Sequence, residues 1–478
     1  MNSNKNFLYN RLKTRKNRDI FFIILAFLIL AIFYLAPNPE NLTHEGQVMI
    51  GILIMAAILW ITEPIPLAVT GLLIMIMQPI LHVLTPSQVF SSFGNQAVFF
   101  LIGAFIIAAA IEKHGLHRRI ALRFLSQFDE NPRMFILGIM VSCAFLSFVM
   151  PEHGVAALFL PIVVSILIAM KVVPKQSNFG KISMLAVAYG CSIGSLGTLI
   201  GGARNPLTVG ILSEELGITV TFIDWMIYSM PIVMISLPLV WIVLQFSFPI
   251  ELKDITRAKI EIKNQVIKAG RISGKEMLVL SILALTVFMW VFFSHSVYFG
   301  LAVIAIFGAF LLFLTGCINW KDVENRVPWG IILLYGGAIT LGIGIQQTGA
   351  GEWIANQLFQ SAGINIYIVI IAMIVLTVLL TNIMSNIGAV ALLLPIGIAV
   401  APELNVSPLF ISMLIALSGG LAFMLVISTP GNAITYSSGY FSTRDLFKAG
   451  VLANIICIVI VFTVAVVYWI GVLGLHNI

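Results

Sequence analysis

The chain has 478 residues, 60% of them hydrophobic and only 10% charged, with a mean hydropathy of +1.05. Soluble domains carry about 25% charged residues, so this composition excludes a soluble globular enzyme and predicts a polytopic membrane protein. The net charge of +6 carries no nucleic-acid signal, because in such a chain the placement of the charges sets the topology.

Residues 1–19 are polar and basic, and no small-residue cleavage site follows the first apolar run, which predicts an uncleaved first helix. Apolar segments near the roughly 20 residues that a span needs lie at 20–36, 45–61, 64–83, 95–112, 182–213, 226–249, 276–294, 298–317, 328–346, 407–440 and 449–475. Two further pairs, 133–172 and 364–401, are split by polar centres: FVMPEHGVAALFLPIV (148–163) and NIMSNIGAVALLLPIG (382–397). His114 and His117 stand beside Arg118 and Arg119 and predict an amphipathic helix at the interface. The longest polar stretch, 251–275, carries seven Lys and Arg. The positive-inside rule places it and the N-terminus in the cytoplasm and the C-terminus outside. Every one of the 26 Lys and Arg then falls on the cytoplasmic side except Arg204. A basic group at membrane depth is costly, so Arg204 is read as functional. The four Cys show no ligand spacing and read as packing residues.

The chain repeats itself. Gly103, Gly115, Met150, Gly154, Ala157 and Pro161 recur as Gly337, Gly349, Met384, Gly388, Ala391 and Pro395, each 234 positions on (337 − 103 = 234). GGARN (201–205) faces STPGN (428–432), with Asn205 opposite Asn432. By charge topology the two copies run in opposite senses across the membrane. Inverted repeats with interrupted helices at matching places are the signature of a secondary transporter with a site near the midplane. The expected layout is 1–19 as a cytoplasmic N-terminus, 20–249 as the first half, 250–275 as a cytoplasmic linker and 276–478 as the second half.

Four stretches carry the chemistry: the two split-pair centres and the two interruptions, GTLIGGARNPL (197–207) and LVISTPGNAI (425–434). Irregular backbone at membrane depth persists only where it is buried in protein or lines a watery cavity. Helix N-termini there present N–H groups to an anion, and exposed carbonyl, Ser, Thr and Asn oxygens suit a hard cation such as Na⁺.

At these residues the chain resembles the divalent anion/Na⁺ symporter family of di- and tricarboxylate transporters. ITEPIPLAVTGLL (61–73), SNIGAVALLLPI (385–396), STPGNAI (428–434) and SGYFSTRDLFKAG (438–450) are similar to that family's T-E-x-I-P, S-N-T and T-P-P-N stretches and the stretch that follows the last of these. The resemblance implies an all-α fold of about 11 transmembrane helices with two re-entrant hairpins, 133–172 and 364–401, and two broken helices. It also implies a homodimer in the plasma membrane and elevator-type movement. It implies substrate-binding positions at Glu152, His153, Gly154, Gly202, Ala203, Arg204, Asn205, Ser385, Asn386, Ile387, Gly388, Thr429 and Pro430. It further implies Na⁺ ligands at Thr381, Asn386, Ile427 and Asn432, with Ser147 as a first-half candidate. The first half departs from the pattern: Pro151-Glu152-His153 stands for S-N-T, and Arg204 stands in the first break.

A guanidinium is a permanent positive charge with bidentate geometry for a carboxylate. Glu152 is expected to pair with it or to carry a proton, and His153 to add a titratable charge. The resulting reading is a carrier of small dicarboxylates such as succinate, malate or 2-oxoglutarate, not an enzyme, with Na⁺ as its only candidate coupling ion and no other cofactor. Exchange is preferred, because a site with a fixed cation is hard to empty without substrate. Na⁺-coupled symport and an inorganic oxyanion carrier are the alternatives.

Overall fold

The computed structural model describes residues 2–128, 131–296, 298–359 and 365–475, with side chains described from residue 16 onward and not at 358–359. The ends of the expected outer loop 347–363, of the hairpin at 364 and of the second half at 476–478 lie outside the described residues, as do the side chains of Lys5, Arg11, Lys13 and Arg15.

The described residues form helices and no strands. The first half contains α1 (Asn2–Leu35), α2 (His44–Thr62), α3 (Leu67–Ile80), α4 (Pro86–Ser91), α5 (Gln96–Lys113), α6 (Leu116–Leu125), α7 (Pro132–Leu146), α8 (Glu152–Ala169), α9 (Asn178–Gly194), α10 (Arg204–Leu216) and α11 (Phe222–Ser247). A linking helix, α12 (Thr256–Ala269), fills much of the stretch read from sequence as a polar loop. The second half contains α13 (Gly274–Phe293), α14 (Leu301–Leu314), α15 (Trp320–Arg326), α16 (Trp329–Gln347), α17 (Ala350–Phe359), α18 (Ile366–Ile383), α19 (Asn386–Val400), α20 (Pro408–Ser418), α21 (Pro430–Ser437) and α22 (Thr443–Thr463). Among the described residues, 9 helices are long and apolar enough to cross a membrane. The sequence reading of about 11 spans counts 64–83 and 298–317 as full spans, where α3 and α14 have only 14 residues each, counts each broken segment as one span, and leaves out the hairpin arms α8 and α18, which are among the 9. The segments 182–213 and 407–440 are indeed interrupted, as α9 with α10 and as α20 with α21.

The spacing of 234 governs the elements themselves. α3, α4, α6, α7 and α8 begin at residues 67, 86, 116, 132 and 152, and α14, α15, α17, α18 and α19 begin at 301, 320, 350, 366 and 386. The local chemistry repeats as well. Thr85 and Asn319 each close a capping box, and Asn131 and Asn365 each accept a backbone N–H two residues on. These caps satisfy amide groups that the helix start leaves free. Gly115 and Gly349 both end a helix at positive φ, 69° and 68°, where a Cβ is disfavoured.

The halves are joined by crossed pairs, with α3 on α16 and α5 on α14. Small residues let these backbones touch: a Cβ on Gly103 would lie 2.6 Å from the Ala305 backbone, and one on Gly337 would lie 2.4 Å from Gly71. In an apolar solvent such close packing is a main source of helix association. At one end of the molecule, Lys113 of α5 binds Asp322 of α15 at 2.6 Å, and Arg326 binds Glu112 at 2.8 Å.

Two outcomes follow from this packing. Gly337→Val forces the α3–α16 crossing apart and should cost about 1–3 kcal/mol, the usual range for overpacking, read as a lower melting temperature in detergent. Asp322 is held below the ordinary aspartate range, first by its hydrogen bond from Lys113. Its contribution to stability is complete above that ordinary range and disappears as pH falls through the depressed value. Asp322→Asn should therefore lower the melting temperature at neutral pH and flatten its decline on acidification, with no difference from wild type once Asp322 is fully protonated.

Candidate functional site

The two hairpin tips and the two helix breaks meet at one place. A cavity of about 240 Å³ is lined by Pro151, Glu152 and His153 from the first tip and by Ser385, Asn386 and Ile387 from the second. Gly201, Gly202, Ala203 and Arg204 come from the first break, and Ser428 and Pro430 from the second. Leu67, Phe105 and Ile331 supply apolar walls. A second cavity of about 400 Å³ shares Phe105, Pro151 and His153 with it and reaches Glu112, His117 and Arg326. His117 sits on α6, and burial lowers its pKa, so the imidazole is neutral at pH 7. The smaller cavity is thus continuous in lining with a vestibule that opens toward the Lys113–Asp322 end.

Each break is braced by an asparagine in the same way. The Asn205 amide donates to the Ser195 carbonyl at 2.8 Å and to the Thr198 carbonyl at 2.7 Å, residues 10 and 7 positions earlier. The Asn432 amide donates to the Ala422 and Leu425 carbonyls at 2.9 and 3.0 Å, again 10 and 7 positions earlier. Nearby carbonyls of the first break are taken by Trp225 (Leu196), Ser229 (Gly197), the Glu152 backbone N–H (Gly201) and the Tyr335 hydroxyl (Ala203). In the second break Thr381 donates to Gly419, Asn382 to Leu421 and Tyr189 to Phe423. Unpaired carbonyls at this depth cost several kcal/mol each in lipid, which is why both segments recruit side chains from neighbouring helices.

Arg204 is the first residue of α10 and is 1% exposed. Its Nη2 donates to Ser195 Oγ at 2.8 Å, while Nε has no partner. Gly202 and Gly420 make room for the guanidinium, and a Cβ on Gly420 would lie 2.2 Å from Nη2. Glu152 is also buried. Its Oε1 accepts from Asn386 Nδ2 at 3.4 Å, and its Oε2 has no partner. The expected direct Glu152–Arg204 ion pair is not formed: Ser195 and the two glycines hold the guanidinium, and Asn386 holds the carboxylate. The Glu152–Asn386 contact joins residues 234 positions apart, as a two-fold relation between the halves requires of residues on its axis.

In the second half, Thr381 Oγ1 lies 2.7 Å from both Asn386 Oδ1 and the Gly419 carbonyl oxygen. Three oxygens without a fixed charge converge there, a donor set that fits Na⁺. Asn432 Oδ1 is buried and unpartnered. The Ile427 side chain is 74% exposed, so Ile427 could join this group only through its backbone carbonyl. Ser147 Oγ in the first half is buried without a partner.

Several expected positions also do structural work. Gly154 lines the larger cavity alone. Asn205 braces the first break, Thr429 caps α21 by accepting from the Asn432 N–H, and Gly388 donates its N–H to Ser385 Oγ, the α19 cap. Sequence reasoning missed Ser195, Tyr335, Gly419 and Gly420. The repeat could have pointed to Gly419, because Thr381 needs an oxygen opposite it, whereas Tyr335 comes from a distant helix and left no local signal.

This architecture, an all-helical body with breaks and hairpin tips converging on one buried site, defines a membrane transporter. The model of the sodium:sulfate symporter transmembrane region matches residues 17–475, and the chain belongs to this family, the divalent anion/Na⁺ symporters that its motifs resemble. A protein of Staphylococcus saprophyticus named sodium-dependent dicarboxylate transporter SdcS is 31% identical over 473 residues, covering 94% of this chain and 90% of that protein. Its namesake in Staphylococcus aureus (strain bovine RF122 / ET3-1) is 30% identical over 472 residues, covering 93% and 89%. Among solved structures, the fold is similar to the Alcanivorax borkumensis YdaH transporter, with a TM-score of 0.57 at 12% identity over 96% of this chain and 98% of that one. It is also similar to Neisseria gonorrhoeae MtrF, with a TM-score of 0.56 at 11% identity over 95% and 94%.

The asparagine braces give a direct check on the site's construction. Asn205→Ala leaves the Ser195 and Thr198 carbonyls unpaired, whereas Asn432→Ala leaves only that of Ala422, because Ser428 still donates to Leu425, at about 1–3 kcal/mol per unsatisfied group. Both should lower the melting temperature, Asn205→Ala the more, and an unchanged melting temperature in either variant would contradict the bracing role of its amide.

Proposed function

We propose that this protein is a Na⁺-coupled symporter of small organic dianions, of the C4 dicarboxylate class. The observation that carries this reading is the 240 Å³ cavity at the junction of the halves. It offers Arg204 and helix starts at Arg204, Asn386 and Pro430 to a doubly charged anion, and the apolar walls Leu67, Phe105, Ile331 and Ile387 to its carbon chain. The apolar lining favours a dicarboxylate over an inorganic oxyanion, and the relatives' names, sodium-dependent dicarboxylate transporters, support the same substrate class. Those names also favour symport over exchange. The exchange preference read from the fixed charge of Arg204 finds no support in them. Coupling is therefore assigned to Na⁺ at Thr381, Asn386 and Gly419.

In this reading Na⁺ supplies positive charge beside the substrate when bound. The Asn386 side chain contributes its oxygen to the ion and its amide to the site, so that ion and substrate binding reinforce each other. Ser385 and the helix starts orient the carboxylates, and Arg204 anchors one of them. The N-terminus and the Lys113–Asp322 end lie in the cytoplasm, the C-terminus lies outside, and the vestibule through His117 is the inward path. The elevator movement and homodimeric assembly implied by the family resemblance complete the proposal, with the hairpins and broken helices as the moving part.

The test is uptake of labelled succinate into liposomes that contain no substrate. An inward Na⁺ gradient should drive accumulation, malate should compete and sulfate should compete far less. Uptake that requires internal dicarboxylate and ignores Na⁺ would overturn the symport reading, and preferential competition by sulfate would overturn the substrate class.

A further inference from the structure

The repeat allows the two halves of the site to be compared atom by atom. The second-half cation cradle consists of Thr381, Asn386 and the Gly419 carbonyl. At the tip spacing of 234, Thr381 corresponds to Ser147 and Asn386 to Glu152. At the break spacing of 227 (432 − 205), Gly419 corresponds to Ser192. The first-half counterparts are not joined as the second-half ones are. Ser147 Oγ has no partner, Glu152 Oε1 turns to Asn386, and the guanidinium of Arg204 is fixed on Ser195, three residues past Ser192. At the position matching Arg204, the second half has Gly431, which has no side chain to offer a charge.

We infer that Arg204 is the built-in cation of the first half, so that this half binds no Na⁺ and the carrier couples to the second-half ion alone. The local geometry supports this in three ways. Arg204 is fully enclosed, and Ser195 Oγ, Gly202 and Gly420 hold its head in one place. The guanidinium lines the same cavity as both tips, with Nε free of any protein partner. A fixed guanidinium disfavours a second cation beside it and presents planar donors to a carboxylate. Glu152 supplies the matching negative charge that makes burial of the guanidinium tolerable, although the two do not touch.

This inference rests on the symport reading for the substrate and for the second-half ion, and the test separates the two. The measurement is equilibrium binding of ²²Na⁺ to the purified full-length protein in saturating succinate. Wild type should bind one Na⁺ per chain, and the Na⁺ dependence of succinate affinity should have a slope near one. Arg204→Gln leaves Ser147, Ser195 and the Glu152 carboxylate facing an uncompensated pocket, and should bind one Na⁺ more than wild type. Arg204→Lys keeps the charge and should bind the same number as wild type, with succinate affinity weakened by about tenfold through loss of the bidentate geometry. A slope near two in wild type, or an unchanged count in Arg204→Gln, would overturn the inference. No Na⁺ in wild type but one in Arg204→Gln would overturn the symport reading and leave the role of Arg204 standing. The wild-type slope decides the matter even if Arg204→Gln fails to fold.

Discussion

Everything at the centre of this protein depends on keeping broken backbone satisfied inside an apolar body. Four helix ends converge there, and lipid offers no hydrogen bonds to the groups they release. The protein answers with side chains borrowed from neighbouring helices. Asn205 and Asn432 each clamp two carbonyls, and Trp225, Ser229, Thr381, Asn382, Tyr189 and Tyr335 each take at least one more. Because the breaks are held so completely, the helix starts that face the cavity can stay polar and open to an anion without unravelling.

The second constraint is symmetry. One set of local rules, the caps at Thr85 and Asn319, the turns at Gly115 and Gly349 and the asparagine braces, is used twice. The close crossings of α3 with α16 and α5 with α14 lock the copies together through Gly71, Gly103 and Gly337. The axis between the copies passes near Glu152 and Asn386, which touch. A site on such an axis receives two tips and two breaks and is alike from both sides in its backbone. The side chains break that likeness. The second half keeps an uncharged oxygen cradle, and the first holds a carboxylate and a guanidinium. Charge is therefore placed on one side of the substrate by the protein itself and, in the proposed cycle, on the other side by an ion.

Much of this was legible in the sequence, for identifiable reasons. Hydropathy and the lone displaced basic residue fixed the membrane setting and singled out Arg204. The repeat paired the tips and placed the breaks, because helix interruption needs Gly, Pro or Asn and these stand out in apolar runs. Sequence could not show how the side chains divide their work. Asn205 and Thr429 read as ligands in the sequence, and the structure gives them work as a brace and a cap as well, since a buried asparagine serves either use with the same atoms. Glu152 and Arg204 look like a pair but are held apart by partners, Asn386, Ser195 and Gly420, that lie on other helices or beyond the break. Ile427 can enter the cation group only through its backbone carbonyl, because the chain turns its side chain outward beside the second break. The helix α12 was hidden because its composition is that of a charged loop.

The account's central claim is that substrate sits where both halves meet. Its most direct test is a structure of the protein in a lipid nanodisc with succinate and Na⁺. Density for the dianion is expected in the cavity between Arg204 and the two tips, in contact with residues of both halves. Density confined to the vestibule around His117 and Arg326, or touching one half only, would contradict it.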